Sequence, residues 1–174
     1  MKCDGFKFSQ NGIVLILLFF SLTVSGCTLN AFERSDEAEV AALPTPSPEF
    51  SPDNVVRIQL EALQHNDRTN KGIETAFNFA SPDNKKVTGP LSRFIKMVRN
   101  QPYSAMLNHQ SVEYETVKIS GDTAVQRVKL IGSDGNSVTY IFKLSKQSAA
   151  PYENCWMTDA VMVEPTRELP RDQA

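Results

Sequence analysis

Residues 123–147, TAVQRVKLIGSDGNSVTYIFKLSKQ, decide the fold that this sequence predicts. Apolar and polar side chains alternate in 123–131 and again in 137–147, and a period of two is typical of a strand with one buried face. The SDGN between them, at 133–136, has the composition of a tight turn. The stretch therefore predicts two antiparallel strands joined by a hairpin.

Two further strands are predicted on either side of this hairpin. Residues 110–119 and 154–164 are rich in the β-branched and aromatic residues that strands favour. The earlier of the two changes the parity of its apolar residues partway along, which predicts a bulge near Thr116. The SGD turn at 120–122 joins it to the hairpin, so the first three strands are expected to form an antiparallel meander.

Three helices are predicted before the strands. Residues 54–65, capped by Ser51 or Asp53, and residues 72–80 each place their apolar side chains on one side of a helix at about 100° per residue. The second of these is expected to stop at Ser81-Pro82. The third, at 90–99, begins with Pro90, which is tolerated in a first turn. Helices followed by antiparallel strands predict an α+β fold, with the helices packed on a curved sheet of about four strands.

Several sequence blocks carry a resemblance to known proteins, and they are VRIQLEA at 56–62, FNFASP at 77–82, FIKMVR at 94–99 and Trp156 at the start of the last strand. Together they are similar to a bacterial domain family of unknown function, in which I-x-x-Q-L-x-A leads to F-A-S-P and F-x-x-M-V. The order of elements also resembles the cone-shaped, nuclear-transport-factor-like (cystatin-like) fold. The resemblance implies a fold and no activity. This chain departs from the family at 83–86, where a polar DNKK loop replaces apolar residues.

The first 27 residues have the features of an export signal. Residues 13–20, IVLILLFF, are wholly apolar, and the run is shorter than the roughly 20 residues that cross a bilayer as a helix. The VSGC at 24–27 then resembles the lipobox of bacterial lipoproteins, in which the cysteine receives diacylglycerol and becomes the new N-terminus. We therefore predict a lipoprotein signal peptide at 1–26 and a lipid on Cys27.

Lipidation implies an exported protein that is held at the extracytoplasmic side of a membrane by its lipid anchor. Two alternatives remain open at this point. An ordinary signal peptidase accepts the small residues before Cys27 and would release a soluble protein, and an uncleaved apolar segment would itself be the anchor. Which membrane carries the anchor does not follow from the sequence.

A tether is predicted between the lipid and the folded domain. Residues 27–51 are acidic and then proline-rich, and alternating prolines favour an extended polyproline II chain with a reach of roughly 70 Å. A PxxP-type docking peptide is the alternative interpretation. Residues 52–165 are predicted to form one α+β domain, and 166–174 a disordered tail.

Composition and residue spacing leave several functional classes without support. The net charge of -2 gives no indication of nucleic-acid binding. Cys155 has no disulfide partner once Cys3 is removed and Cys27 is lipidated, so we expect a buried free thiol. No His, Cys, Asp or Glu residues have the spacing of a metal site, and we predict no metal and no cofactor.

The candidate site is a pocket between the helices and the sheet. Gln59 lies near the middle of the apolar arc of the first helix, where an amide without partners would cost about 1–3 kcal/mol. It is therefore expected either to hydrogen-bond at the seam between helix and sheet or to face a ligand. The residues expected to wall such a pocket are aromatic, namely Phe77, Phe94, Tyr140, Phe142 and Trp156.

Two classes of function follow from these features. The favoured one is a non-catalytic, lipid-anchored envelope module that binds a protein partner or a small apolar ligand. The alternative is a small-pocket enzyme of isomerase or dehydratase type, in which Asp159 acts as the base together with His109 and Tyr140. The enzyme hypothesis requires at least two of these three side chains in one accessible cavity. The sequence does not indicate an oligomeric state.

Overall fold

The computed structural model describes residues 42–165. The predictions of a signal peptide at 1–26, a lipid on Cys27 and a tail at 166–174 lie outside the described residues, as does most of the tether. Within the described range, four α-helices and one short 3-10 helix precede an open antiparallel sheet. The predicted α+β class is confirmed.

The bounds of the helices are Pro52–Gln64 (α1), Lys71–Asn78 (α2), Pro82–Thr88 (α3), Leu91–Val98 (α4) and Ser104–Met106 for the 3-10 helix. Both α1 and α3 begin after a serine whose hydroxyl accepts a backbone N–H of the first turn, whereas α2 and α4 have no side-chain cap. At the start of α1, the Ser51 hydroxyl accepts the N–H of Asn54, and the Asn54 side-chain oxygen accepts the N–H of Ser51. This reciprocal pair is a capping box. Between residues 42 and 165, no helix is long and apolar enough to cross a bilayer.

One of these helices, α3, is not predicted from the sequence, because a loop is expected at 83–86. In the structure the Ser81 hydroxyl accepts the N–H of Asn84 at 3.2 Å, and Pro82 occupies the first turn of a new helix. The prediction that α2 ends before Pro82 is confirmed, and the prediction of a loop after it is wrong. A proline that follows a capping serine starts a helix as readily as it ends one.

The sheet is built on the predicted hairpin, and its strands are Ser111–Tyr114 (β1), Lys118–Ser120 (β2), Thr123–Ile131 (β3), Ser137–Lys146 (β4) and Trp156–Val163 (β5). Both β1 and β2 pair with β3, then comes β4, and β5 forms the far edge, with every pair antiparallel. The predicted first strand is thus interrupted after Tyr114. Near Thr116, where a bulge is expected, residues 115–117 lie opposite only two residues of β3, 126–127, because Tyr114 pairs with Val128 and Lys118 with Val125. The Glu115 N–H still donates to the carbonyl of Arg127 at 3.0 Å. This one extra residue accounts for the change of parity.

The core lies between the helices and one face of the sheet. Alternate residues of β3 and β4 point into it, as their period of two predicts, and residues of α1 and α2 meet them from the other side. The largest side chains with no more than 2% of their surface exposed are Tyr140, Phe79, Phe142, Leu60, Ile73, Leu130 and Leu144.

The packed part of the chain begins slightly before α1. Phe50 belongs to the predicted tether, yet its ring is half-buried against the core. The ring lies 6.1 Å from that of Phe79, measured between centroids, with the two planes tilted by 50°. Aromatic pairs of this geometry stabilise a fold beyond the area they bury. The folded domain therefore includes Phe50.

Candidate functional site

A cleft opens between α3, α4 and the edge strand β5. Its volume is about 580 Å³, which falls within the range of ligand pockets in proteins. The segment between α4 and β1 closes one side through Tyr103 and Met106. The side chains that give the cleft its apolar walls are Val87, Phe94, Met97, Val98, Met106 and Val161.

The wall formed by α3 is attached by hydrogen bonds rather than by apolar packing. No residue of α3 is buried. The side-chain amide of Asn84 and the backbone N–H of Ser81 both donate to the Thr158 carbonyl, each at 2.9 Å. The Thr158 N–H donates in turn to the carbonyl of Phe79 at 2.9 Å. Residues 79–81 of the F-A-S-P block thus pair with β5 as a short parallel bridge, which places α3 over the strand.

The floor of the cleft contains a β-bulge. Lys143 of β4 pairs with Ala160, whereas the next residue, Leu144, pairs with Thr158, so Asp159 is an extra residue in β5. A bulge breaks the alternation of side chains and redirects the residues within it. The Asp159 side chain is exposed and lines the cleft.

The far side of the cleft is held by two tyrosine hydroxyls. Tyr103 donates to the carbonyl of Val161 at 3.3 Å, and Tyr140 donates to the carbonyl of Pro102 at 2.7 Å. Burial, with a smaller contribution from the neighbouring Tyr103, raises the pKa of Tyr140 to about 12. Tyr140 therefore stays protonated and holds the Pro102–Tyr103 segment against the sheet.

Lys85 holds α3 from the side away from the cleft. Its ammonium donates to the carbonyl of Asn78 at 2.9 Å and lies 5.6 Å and 5.2 Å from the ring centroids of Phe77 and Tyr152. Both rings attract a cation on their faces. Partial burial lowers the pKa of Lys85. Lys85 is not among the residues that line the cleft.

The aromatic residues predicted to wall a pocket do not all reach this cleft. Phe94 lines it, and Phe77 packs behind Phe94 with 5.0 Å between ring centroids. Tyr140, Phe142 and Trp156 are buried in the core instead. None of these three residues lines the cleft.

Gln59 is also buried, with 5% of its surface exposed, and it lies outside the cleft. Its amide nitrogen donates to the carbonyl of Ala76 at 2.9 Å, and its amide oxygen accepts the hydroxyl of Thr158 at 2.7 Å. These contacts join α1 to α2 and to β5. They match the first of the two roles expected for this residue, a hydrogen-bonded tie at the seam between helices and sheet.

The three residues of the enzyme hypothesis do not share the cleft. Asp159 lines it, whereas the hydroxyl of Tyr140 is engaged by Pro102. His109 is buried, with its Nδ1 3.0 Å from the carbonyl of Met106. Among residues 42–165, no group of three or more His, Cys, Asp or Glu side chains is arranged to hold a metal ion.

Most of the residues that line the cleft are not predicted as pocket residues from the sequence, and they include a whole wall, α3. Val87 leaves 69% of its surface exposed at the cleft, and Asn84 links α3 to β5. The signal that identifies α3 is the Ser81-Pro82 pair, because serine at the cap and proline in the first turn together mark a helix start.

Comparison with known proteins identifies the part of the chain that carries this fold. A family model described as Domain of unknown function (DUF4864) matches residues 50–169. No curated protein and no solved structure gives a significant match. The matched range begins at Phe50, the residue at which packing against the core begins, and it includes every wall of the cleft.

Proposed function

The chain belongs to the DUF4864 family of domains of unknown function, and we propose that it is a lipid-anchored binding module on the extracytoplasmic side of a bacterial membrane. In this proposal the cleft between α3, α4 and β5 takes a small, largely apolar ligand. The observation that carries the proposal is the cleft itself, which has apolar walls, a few polar groups and a volume of about 580 Å³.

Apolar surface left uncovered in the cleft supports a ligand of this kind. The apolar residues of α4 are predicted to be buried in the core. Phe94 and Met97 are nevertheless only half-buried, because the cleft separates them from β5. Val87 is more exposed still, on the opposite wall. Covering apolar surface contributes roughly 25 cal/mol per Å². A ligand that fills the cleft therefore gains affinity from contacts that the free protein lacks.

The isomerase or dehydratase alternative gains less support. Acid–base catalysis requires groups within hydrogen-bond reach of one substrate. Asp159 is the one member of its proposed set that lines the cleft, while His109 and Tyr140 are engaged in the core. Binding is therefore the function that we propose.

We expect occupancy of the cleft to be detectable with the neutral fluorophore N-phenyl-1-naphthylamine, whose emission rises in apolar sites. Met97→Trp should fill the cleft and weaken binding at least about tenfold, since tenfold corresponds to ~1.4 kcal/mol. Val125→Trp, on the exposed face of β3, is the matched control and should bind as the wild type does. Val87→Asp is the second variant, for use if Met97→Trp folds poorly. It makes the mouth of the cleft polar at an exposed position and should also weaken binding of the fluorophore. Wild-type protein that leaves the emission unchanged would refute the proposal.

The anchor is tested separately through Cys27. A thioether-linked lipid requires a thiol, so Cys27→Ser should move the protein from the membrane fraction to the soluble or unprocessed pool. Cys3→Ser, in the predicted signal peptide, is the matched control and should leave the membrane fraction unchanged. Fractionation and the mass of the mature N-terminal peptide are the measurements. An N-terminal peptide from wild-type protein without acyl mass would contradict the lipid anchor.

A further inference from the structure

The charges around the cleft define its ligand more closely. Two carboxylates, Asp83 and Asp159, line it, and no Lys, Arg or His residue is among the described residues that do so. Asp83 is exposed and pairs with Lys86 at 2.7 Å. Asp159 makes no ion pair and no side-chain hydrogen bond among residues 42–165. One carboxylate in the cleft is thus uncompensated.

Two lysines that are next in sequence to cleft residues, Lys85 and Lys146, are engaged elsewhere. Lys85 donates to Asn78 and lies between two aromatic rings on the other side of α3. Lys146 lies 5.4 Å from the centroid of the Trp156 ring. The described residues that line the cleft thus carry two carboxylates and no cationic side chain between apolar walls. A ligand complements such a surface when it carries a positive charge at one end and apolar groups along the rest.

The β-bulge supplies the geometry for recognition of that charge. Asp159, the extra residue of the bulge, lines the cleft together with Val161 of the same strand, while Phe94 and Met97 line it from α4. Ser145 also lines the cleft, and its hydroxyl oxygen accepts the side-chain amide of Gln147 at 3.0 Å. A protonated amine donates up to three hydrogen bonds and accepts none, so it matches the two acceptor oxygens of the Asp159 carboxylate.

We infer that the ligand of the cleft is a small hydrophobic amine, whose ammonium group pairs with Asp159 and whose apolar body packs between α3 and α4. This inference rests on the proposed function. It goes beyond that function by stating the charge of the ligand and the residue that selects it. A hydrogen bond to a charged group contributes enough to distinguish an amine from an alcohol of the same length by about tenfold or more.

The test compares decylamine, decan-1-ol and decanoate, below their aggregation concentrations, as competitors of N-phenyl-1-naphthylamine on the full mature protein. Decylamine should compete at least about tenfold better than decan-1-ol, and decanoate should be the weakest of the three. Asp159→Asn should remove the preference for the amine over decan-1-ol. Glu113→Gln, which removes the same charge from an exposed position on β1, should leave the preference intact.

Two results overturn the inference in distinguishable ways. If the fluorophore binds but amine and alcohol compete equally, or if Asp159→Asn keeps the preference for the amine, the proposed cleft stands and its selectivity for amines is wrong. If neither the fluorophore nor any competitor binds, the proposed function fails together with the inference.

Discussion

Gly72→Ala is expected to lower the free energy of unfolding by about 3 kcal/mol, among the largest effects of a single methyl group in this domain. Gly72 lies in the first turn of α2, where that helix crosses the end of α1. A Cβ at this position would overlap the carbonyl oxygen of Ala62 and lie 2.9 Å from the carbonyl carbon and 3.0 Å from the Cα of Asn66. Because these are all backbone atoms, the two helices must move apart to admit it.

Urea unfolding of the mature protein measures this effect. Lys71→Ala changes the neighbouring, exposed residue of the same helix and should alter the free energy of unfolding by no more than about 0.5 kcal/mol. A loss below 1 kcal/mol for Gly72→Ala would mean that α1 and α2 adapt to the added methyl group, and that their close approach does not depend on glycine.

The second large effect is expected at Gln59. Gln59→Leu leaves the carbonyl of Ala76 and the hydroxyl of Thr158 without their partners inside the core. An unsatisfied buried polar group costs about 1–3 kcal/mol. We therefore expect the free energy of unfolding to fall by about 3 kcal/mol and the melting temperature by roughly 10 °C.

A double-mutant cycle separates the contribution of the Gln59–Thr158 hydrogen bond from other effects of the substitution. Thr158→Val removes the donor, and the double variant should be more stable than the sum of the two single losses by about 0.5–3 kcal/mol. Gln64→Leu is the matched control on the same helix, because its amide is only half-buried and donates to the carbonyl of His109. A different outcome would contradict this role. If Gln59→Leu leaves the melting temperature of the free protein unchanged but abolishes the rise that a ligand causes, then Gln59 faces a ligand, and its hydrogen bonds to Ala76 and Thr158 do not stabilise the fold.

The hairpin at 123–147 is predictable from sequence because the rule that encodes it is local. A strand with one buried face requires apolar residues at every second position, and the register of a hairpin follows from its turn. The pairing of Val128 with Tyr140 and of Leu130 with Val138 follows from that pattern. The same local rules wrongly predict a loop at 83–86, where the structure has α3. Pro82 ends one helix and also starts the next, and the sequence pattern alone does not separate these two effects.

The phase of Gln59 on α1 likewise predicts an interior amide but not its partners. The carbonyl of Ala76 lies 17 residues away along the chain and the hydroxyl of Thr158 lies 99 residues away. No local pattern specifies which of many polar groups a buried amide will meet. A prediction of burial therefore leaves two roles open, and the contacts in the structure are those of the hydrogen-bonded role.

By itself, the sequence determined the α+β class, the strand pattern and the interior position of Gln59, since each depends on a period of side chains within one element. The tertiary structure alone decided where the cleft lies. Pairing of Thr158 with residues 79–81 carries α3 over the edge of the sheet, and the register shift beside it turns Asp159 into the space between them. Both depend on hydrogen bonds between segments far apart in the chain, which periodicity within one element does not encode.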